Sequence, residues 1–345
     1  RRTLDAVKRI LLRESQVQPL LVVFEDLHWI DSETQAFLDS LIESLPTARV
    51  LLLVNYRPEY QHNWGSKTYY SQLRIDPLPP ESAREVLSAL LGDDHALLPL
   101  KDLLIARTEG TPFFLEESVR TLVEMNVLVG ERGSYRLAKP IESIQVPASV
   151  QAVLAARIDR LAPDAKQLLQ SASVIGKDFS FALLHGVAEL SEENLRRELG
   201  HLQAAEFIYE TRLFPDLEYT FKHALTHEVA YGSLVQGRRR ALHARIVEAI
   251  EKLYSDRLTE QVELLAHHAS RGELWEKAVE YLHQAGKKAV ARSATKEAIA
   301  YFEQALDVIK HLPEGKQTIE KTIDIRVDLG PGLAGIGLLL DHDRV

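Results

Sequence analysis

The chain has no cysteine, one methionine and few aromatic residues (7%). Without thiols it can build neither disulfides nor thiolate metal sites, and a reducing, cytoplasmic setting fits this composition. No stretch approaches the roughly 18 apolar residues that a membrane-spanning helix needs, so no membrane partner is expected. The opening residues, RRTLDAVKRILL, carry the pattern of an amphipathic helix and lack the apolar core and cleavage site of a signal peptide. Basic charge is also scarce: 41 Lys and Arg stand against 50 Asp and Glu, a net charge of −9 that argues against a surface built wholesale for nucleic acid.

One further absence concerns chemistry. No segment matches G-x-x-x-x-G-K-[ST], the loop that cradles phosphates on a helix N-terminus. Gly176-Lys177-Asp178 has the GK pair, but Ser171 stands where the first glycine belongs and Asp178 where the metal-binding hydroxyl belongs. The glycine tract Gly330, Gly332, Gly335, Gly337 contains no lysine.

What is present reads as a soluble globular chain of two or three domains: 345 residues, 46% hydrophobic and 26% charged. Its most informative run is PLLVVFEDLHWID, from Pro19 to Asp31. Leu20 to Phe24 are consecutive large apolar residues, the pattern of a strand buried on both faces of a parallel sheet. Glu25 and Asp26 follow at once, where open α/β sheets bind ligands, and an acidic pair there suits Mg²⁺ coordination and the orientation of an attacking water. That is the logic of a Walker B element, whose phosphate loop should lie upstream. Only 18 residues precede Pro19, none of them glycine. The chain is therefore expected to be a fragment that begins after the phosphate loop and is inactive as an ATPase by itself.

The pattern then turns helical, with Asp31 or Ser32 as N-cap, and a second strand is expected over 49–54. Tyr70 to Ile75 is a third candidate strand, closed by the proline cluster at 77–80. Apolar stripes predict three helices between Glu81 and Asn126, interrupted by Glu109-Gly110-Thr111-Pro112. A hairpin is expected over 127–137, helices over 149–203, two strands at 205–210 and 217–221, and helices from His223 to about Leu312. Helices followed by a two-stranded wing indicate a winged-helix domain. Trp275 to Ala285 aligns with Thr295 to Ala305 at an offset of 20 residues, read as degenerate tetratricopeptide-like hairpins with Gly286, Ala298, Phe302 and Ala305 at the small and aromatic positions. The expected fold class is α/β followed by mostly α. Residues 1–78 form a partial P-loop NTPase parallel sheet, 79–146 a helical lid and hairpin, 147–230 the winged helix and 231–329 the repeats, with 330–345 unassigned.

FEDLHWID at 24–31, NYRPE at 55–59 and EGTPFFLEE at 109–117 resemble the Walker B, sensor and GxP elements of STAND ATPases, signal-transduction relatives of the AAA+ group. VIGKDF at 174–179 and FKHALTHEVAY at 221–231 resemble winged-helix segments of the multidomain proteins that join this ATPase to class III adenylate or guanylate cyclase domains. The resemblance implies ATP or ADP with Mg²⁺ as cofactors in the intact parent protein. It implies that Glu25 holds the metal through water, Asp26 orients the hydrolytic water and Arg57 senses the γ-phosphate. His28 and Trp29 would shape the site, and Gly110 and Pro112 would form the turn that packs on adenine. The implied partners are other domains of the parent and proteins bound by the repeats. The alternatives are an ATP-dependent transcriptional regulator, or an interaction scaffold with an inactive ATPase remnant.

Each site residue also has a plainer reading. The acidic pair could cap the following helix, Arg57 could pair with Glu59, and Pro112 could be an ordinary first-turn proline. His223 and His227 have the i, i+4 spacing of zinc ligands, but no third ligand accompanies them. His267 and His268 are adjacent and should point apart on a helix. Arg238-Arg239-Arg240 reads as a solvated face, and Ser191 to Leu202 carries too much acid for a DNA-reading helix.

Overall fold

The computed structural model describes residues 2–140, 147–212 and 216–335. Two compact units divide the chain, Arg1–Asp76 and Pro77–Val345, each with its own core.

In the first unit, α1 (Arg2–Val17) leads into β1 (Leu20–Phe24), α2 (Ser32–Ile42) and β2 (Val50–Val54). The strands pair in parallel from Leu20↔Val50 to Phe24↔Val54, the pairing that a strand, helix, strand succession favours. Asp31 caps α2, its Oδ1 accepting from the backbone N–H of Glu33 and of Thr34, each at 2.8 Å. Period-two side chains then give the sheet two faces. Phe24, Leu52 and Val54 pack on Phe37, Leu38 and Leu41 of α2 with Leu4 and Leu11 of α1. Leu21, Val23, Leu51 and Leu53, two laterally paired sets on the other face, are exposed. The strand expected to be buried on both faces is thus covered on one, because no described element of this unit lies over the second.

The third expected strand is not formed. Residues 71–79 have no regular structure, and Leu73 and Ile75 are 87% and 88% exposed. Alternation gives a segment its sides but does not supply a pairing edge. Tyr70 belongs to an aromatic cluster instead: its hydroxyl lies 2.7 Å from that of Tyr56, His62 stacks on Trp64 at 4.6 Å, and Trp64 Nε1 donates to Asp39 at 2.7 Å.

The second unit is mostly helical. α3 (Pro80–Leu91), α4 (Leu98–Thr108) and α5 (Pro112–Glu124) enclose Leu87, Leu91, Leu100, Leu104, Leu115 and Leu122. The expected hairpin is the antiparallel pair β3 (Leu128–Val129) and β4 (Arg136–Leu137). There follow α6 (Val150–Arg160), α7 (Pro163–Ile175), β5 (Asp178–Ser180), α8 (Phe181–Val187), α9 (Glu192–Ala204), β6 (Ile208–Arg212) and β7 (Glu218–Phe221). The sheet is antiparallel in the order β5-β7-β6. Its third strand, β5, is too short to show a period in the sequence. Pro215, where the connecting loop was expected, lies outside the described residues.

From there the chain stacks helices: α10 (Ala224–Gly232), α11 (Gln236–Leu253), α12 (Val262–Arg271), α13 (Trp275–Ala291), α14 (Thr295–Val308) and α15 (Lys316–Gly335). The 20-residue offset has a backbone cause. Glu273 and Ser293 both have positive φ (55° and 60°), and the next N–H in each case bonds five residues back, Leu274 to Ala269 and Ala294 to Ala289, both at 2.9 Å. This is the Schellman turn, built twice with a residue other than glycine at its left-handed position. Gly286 serves a different need, since a Cβ there would lie 2.3 Å from the Phe302 ring, so α13 and α14 meet closely at that point. The unassigned tail begins inside α15, which runs on to Gly335; residues 336–345 lie outside the described part.

Candidate functional site

Parallel pairing brings the carboxyl ends of β1 and β2 side by side, and with them Glu25, Asp26, Asn55 and Arg57. Asp26 takes up left-handed backbone (φ 56°, ψ 45°), a conformation costly for a residue with a Cβ and frequent where function holds it. Asn55 supplies the hold. Its Oδ1 accepts from Asp26 N–H at 2.7 Å, its carbonyl accepts from Leu27 N–H at 3.0 Å, and its own N–H donates to Phe24 O at 3.1 Å. The clamp leaves both the Glu25 and Asp26 side chains exposed. Asp26 makes no side-chain cap bond to the short 3₁₀ turn Leu27–Trp29, and the next helix is capped by Asp31, so helix capping is not what the acidic pair does.

Arg57 forms no ion pair with Glu59; its guanidinium carbon lies 6.0 Å from the centre of the exposed Trp29 ring. His28 packs beside Trp29 with ring centroids 5.2 Å apart, and both its ring nitrogens are buried without a hydrogen-bond partner. Asn55 is the residue that sequence reasoning passed over. Its signal was available: an amide placed directly after an apolar strand, able to accept and donate at once.

Gly110 and Pro112 belong to the second unit. Gly110 has φ 74°, accepts from Leu78 N–H at 2.9 Å, and approaches Leu78 so closely that a Cβ would sit 2.1 Å from its carbonyl oxygen. Pro112 is the first residue of α5, where a missing N–H costs nothing. α5 is then fixed from several sides. Arg157 of α6, fully buried, pairs with Glu117 and, at 2.7 Å, with Glu124; it donates to Ala205 O at 2.9 Å and stacks on Phe207 at 4.6 Å. Arg120 reaches Glu206 at 2.6 Å, and Phe113 packs on His223 at 4.1 Å. The helix that begins at Pro112 is thereby tied to α6, to the α9–β6 turn and to the start of α10.

The remaining candidates resolve into structural roles. His223 precedes α10 against Phe113, while His227 lies 2.9 Å from Ser173 O, and among the described residues no group of three His, Cys, Asp or Glu is placed to hold a metal. His267 and His268 diverge as adjacent helix positions should: His268 is fully buried with its Nδ1 2.8 Å from that of His243, while His267 is exposed, its ring edge-on to both. Burial, with neighbouring histidines adding, pushes His268 down to about 3; burial, with His267 and two arginines adding, pushes His243 down to about 4. Arg239 is not a freely solvated side chain, because it donates to the carbonyls of Tyr231 and Gly232, and Arg240 pairs with Glu273 at 2.8 Å. On α9, Arg196 is engaged by Glu192 and by the Phe181 ring, and Arg197 by Glu198. Among the described residues no helix is long and apolar enough to cross a membrane.

No family model matches the chain. It is 29% identical over 331 residues to an uncharacterized protein of Rhizobium meliloti (strain 1021), a match that covers 94% of this chain and 32% of the relative. The chain thus spans about a third of that relative's length. Among solved structures, a signal transduction ATPase with numerous domains (STAND) carrying a tetratricopeptide repeat sensor, from Pyrococcus horikoshii, aligns with 99% of this chain and 50% of its own, at 11% identity and a TM-score of 0.49.

Proposed function

We propose that the ends of β1 and β2 are the acidic and sensing half of a nucleotide site, and that the chain is a nucleotide-dependent regulatory module of a longer signalling protein. The observation that carries this reading is the Asn55 clamp. It holds Asp26 in left-handed backbone at the carboxyl edge of a parallel pair, with two carboxylates and one arginine free of ion pairs beside it. Glu25 and Asp26 suit a magnesium ion that keeps water and phosphate oxygens as its other ligands, as this ion commonly does. ATP or ADP with Mg²⁺ would supply the phosphoryl chemistry. Within this chain, Asp26 would orient or deprotonate the attacking water, Glu25 would hold the hydrated metal, and Arg57 would report the γ-phosphate charge.

The phosphate-binding lysine would come from chain outside these residues. The uncovered sheet face supports that, since a parallel sheet is ordinarily covered on both sides. In the second unit, α5, which begins at Pro112 and is tied through Arg157 to the segment that follows, would belong to the regulatory part that carries a winged helix and tetratricopeptide-like repeats. The output would be a class III cyclase or a comparable domain of the parent, with proteins bound by the repeats as inputs.

The test uses the complete gene product. Asp26→Asn should slow ATP turnover by about a hundredfold or more while leaving ATP binding within about twofold. Unchanged turnover would remove Asp26 from the chemistry.

A further inference from the structure

α15 has two apolar faces and uses one. Ile325 and Leu329 are fully buried, and Asp328 is tied to α13 through His283 at 2.7 Å and Lys287 at 3.3 Å. On another side Ile319, Ile323 and Val327 recur at i, i+4 and i+8, which places them in one line along the helix, and they are 60%, 54% and 66% exposed. The preceding helix of the stack does not look like this. The exposed positions of α14 are Lys296, Glu297, Ala300, Gln304 and Asp307, a polar outer face.

A groove of about 890 Å³ opens at the foot of the stripe. It lies between the end of α14 and α15, with Leu306, Ile309, Leu312 and Leu329 in its wall and Ile319 shared between groove and stripe. Stacked helical units bury their faces on their neighbours, and a unit that ends a stack needs a polar outer surface. α15 has the inner surface of a unit with a neighbour on each side.

We propose that this stripe and groove seat one more amphipathic helix of the complete polypeptide, packed on α15 as α15 is packed on α14. The site continues an interface already in place, since α12 to α15 each rest on the helix before. The match to a relative about three times as long as the aligned region leaves ample chain to supply it. Glu320 and Asp324 are exposed beside the stripe, so the seated helix should carry Lys or Arg along that flank and Leu, Ile or Ala toward α15. This inference does not depend on the nucleotide reading.

The absence of cysteine makes the test direct. Ile323→Cys places a thiol on the stripe, at an exposed site where the change should leave the fold intact. Its iodoacetamide alkylation is followed by peptide mass spectrometry in the 345-residue chain and in the complete gene product. The expected result is fast alkylation in the former at every protein concentration, and a rate lower by about tenfold or more in the latter. Ile319→Glu combined with Val327→Glu in the complete product should restore the fast rate. Equal rates in the two proteins, or a gene product with no helix after residue 345, would overturn the proposal. So would protection in the 345-residue chain that grows with its concentration, which would name a second copy as the occupant.

Discussion

The two units treat apolar surface in opposite ways. In the first, an apolar pair of strands is covered on one side only, and its polar features gather at one open edge: two exposed carboxylates, an arginine over a tryptophan, and a strained aspartate. In the second, α6 to α14 bury their apolar faces in one continuous core, and even the charged Arg157 is enclosed and given partners. The edge proposed as a ligand site leaves its groups unspent, while the helical scaffold satisfies its own internally.

The sharpest way to break this contrast is to open the enclosed part. Arg157→Met should destabilise the helical unit by about 3–5 kcal/mol, because the buried Glu117 carboxylate loses its main partner and keeps only Arg120, at 3.4 Å. Urea unfolding would measure it, and adding Glu117→Gln should recover much of the loss. A cost below about 1 kcal/mol would mean that the pair is dispensable and the contrast overdrawn.

A second, smaller effect comes from acid. His243 and His268 are held neutral, with folded values of about 4 and about 3 against an ordinary 6.5. They face each other, His267, Tyr231, Arg239 and Arg271, with no carboxylate among those partners to favour the charged form. Both folded values lie below the unfolded one. The stability tied to the neutral pair is therefore complete above about pH 6.5 and is lost as pH falls toward 4 and 3. Thermal melts between pH 7 and 4 should show that slope, and His268→Leu should flatten it. An unchanged slope would place the acid sensitivity elsewhere.

The smallest effect is expected on the open sheet face. Leu51→Lys should change the stability of the 345-residue chain by no more than about 0.5 kcal/mol, because the side chain already meets solvent. A loss above about 1 kcal/mol in a melting experiment would show that the face is covered within this chain, and the difference between the units would disappear.

Much of this architecture was legible in the sequence. The run from Leu20 to Phe24 declared a strand and its neighbours declared a parallel partner, since apolar periodicity and short connections are local properties. That run could not tell how many faces are covered, because coverage depends on elements far away in the chain or outside it. For the same reason Tyr70 to Ile75 read as a strand and is none: the pattern was right and the pairing edge is missing. At the candidate site, Glu25 and Asp26 were found from their place after an apolar strand and Arg57 from the resemblance of its motif, and the structure brings those strand ends together. Asn55 carried a local signal, an amide directly after an apolar strand, but the group it clamps, Asp26 N–H, lies on the other strand and outside any single window. The adjacent pair His267 and His268 does diverge as the helix period requires, His268 turning inward onto His243 of α11 and His267 staying exposed.

The twice-used turn in the helical stack also bears on how that stack comes apart. α12 to α13 and α13 to α14 are joined by the same three-residue link, 272–274 and 292–294. From α14 to α15 the chain passes instead through a 3₁₀ turn at Ile309–His311 and past Pro313 and Gly315. In a linear lattice this is a dislocation, a place where the coupling between neighbours changes. Cooperative melting that spreads through α12, α13 and α14 should stall there, so α15 would open and close as a domain of its own while the remainder of the lattice stays ordered.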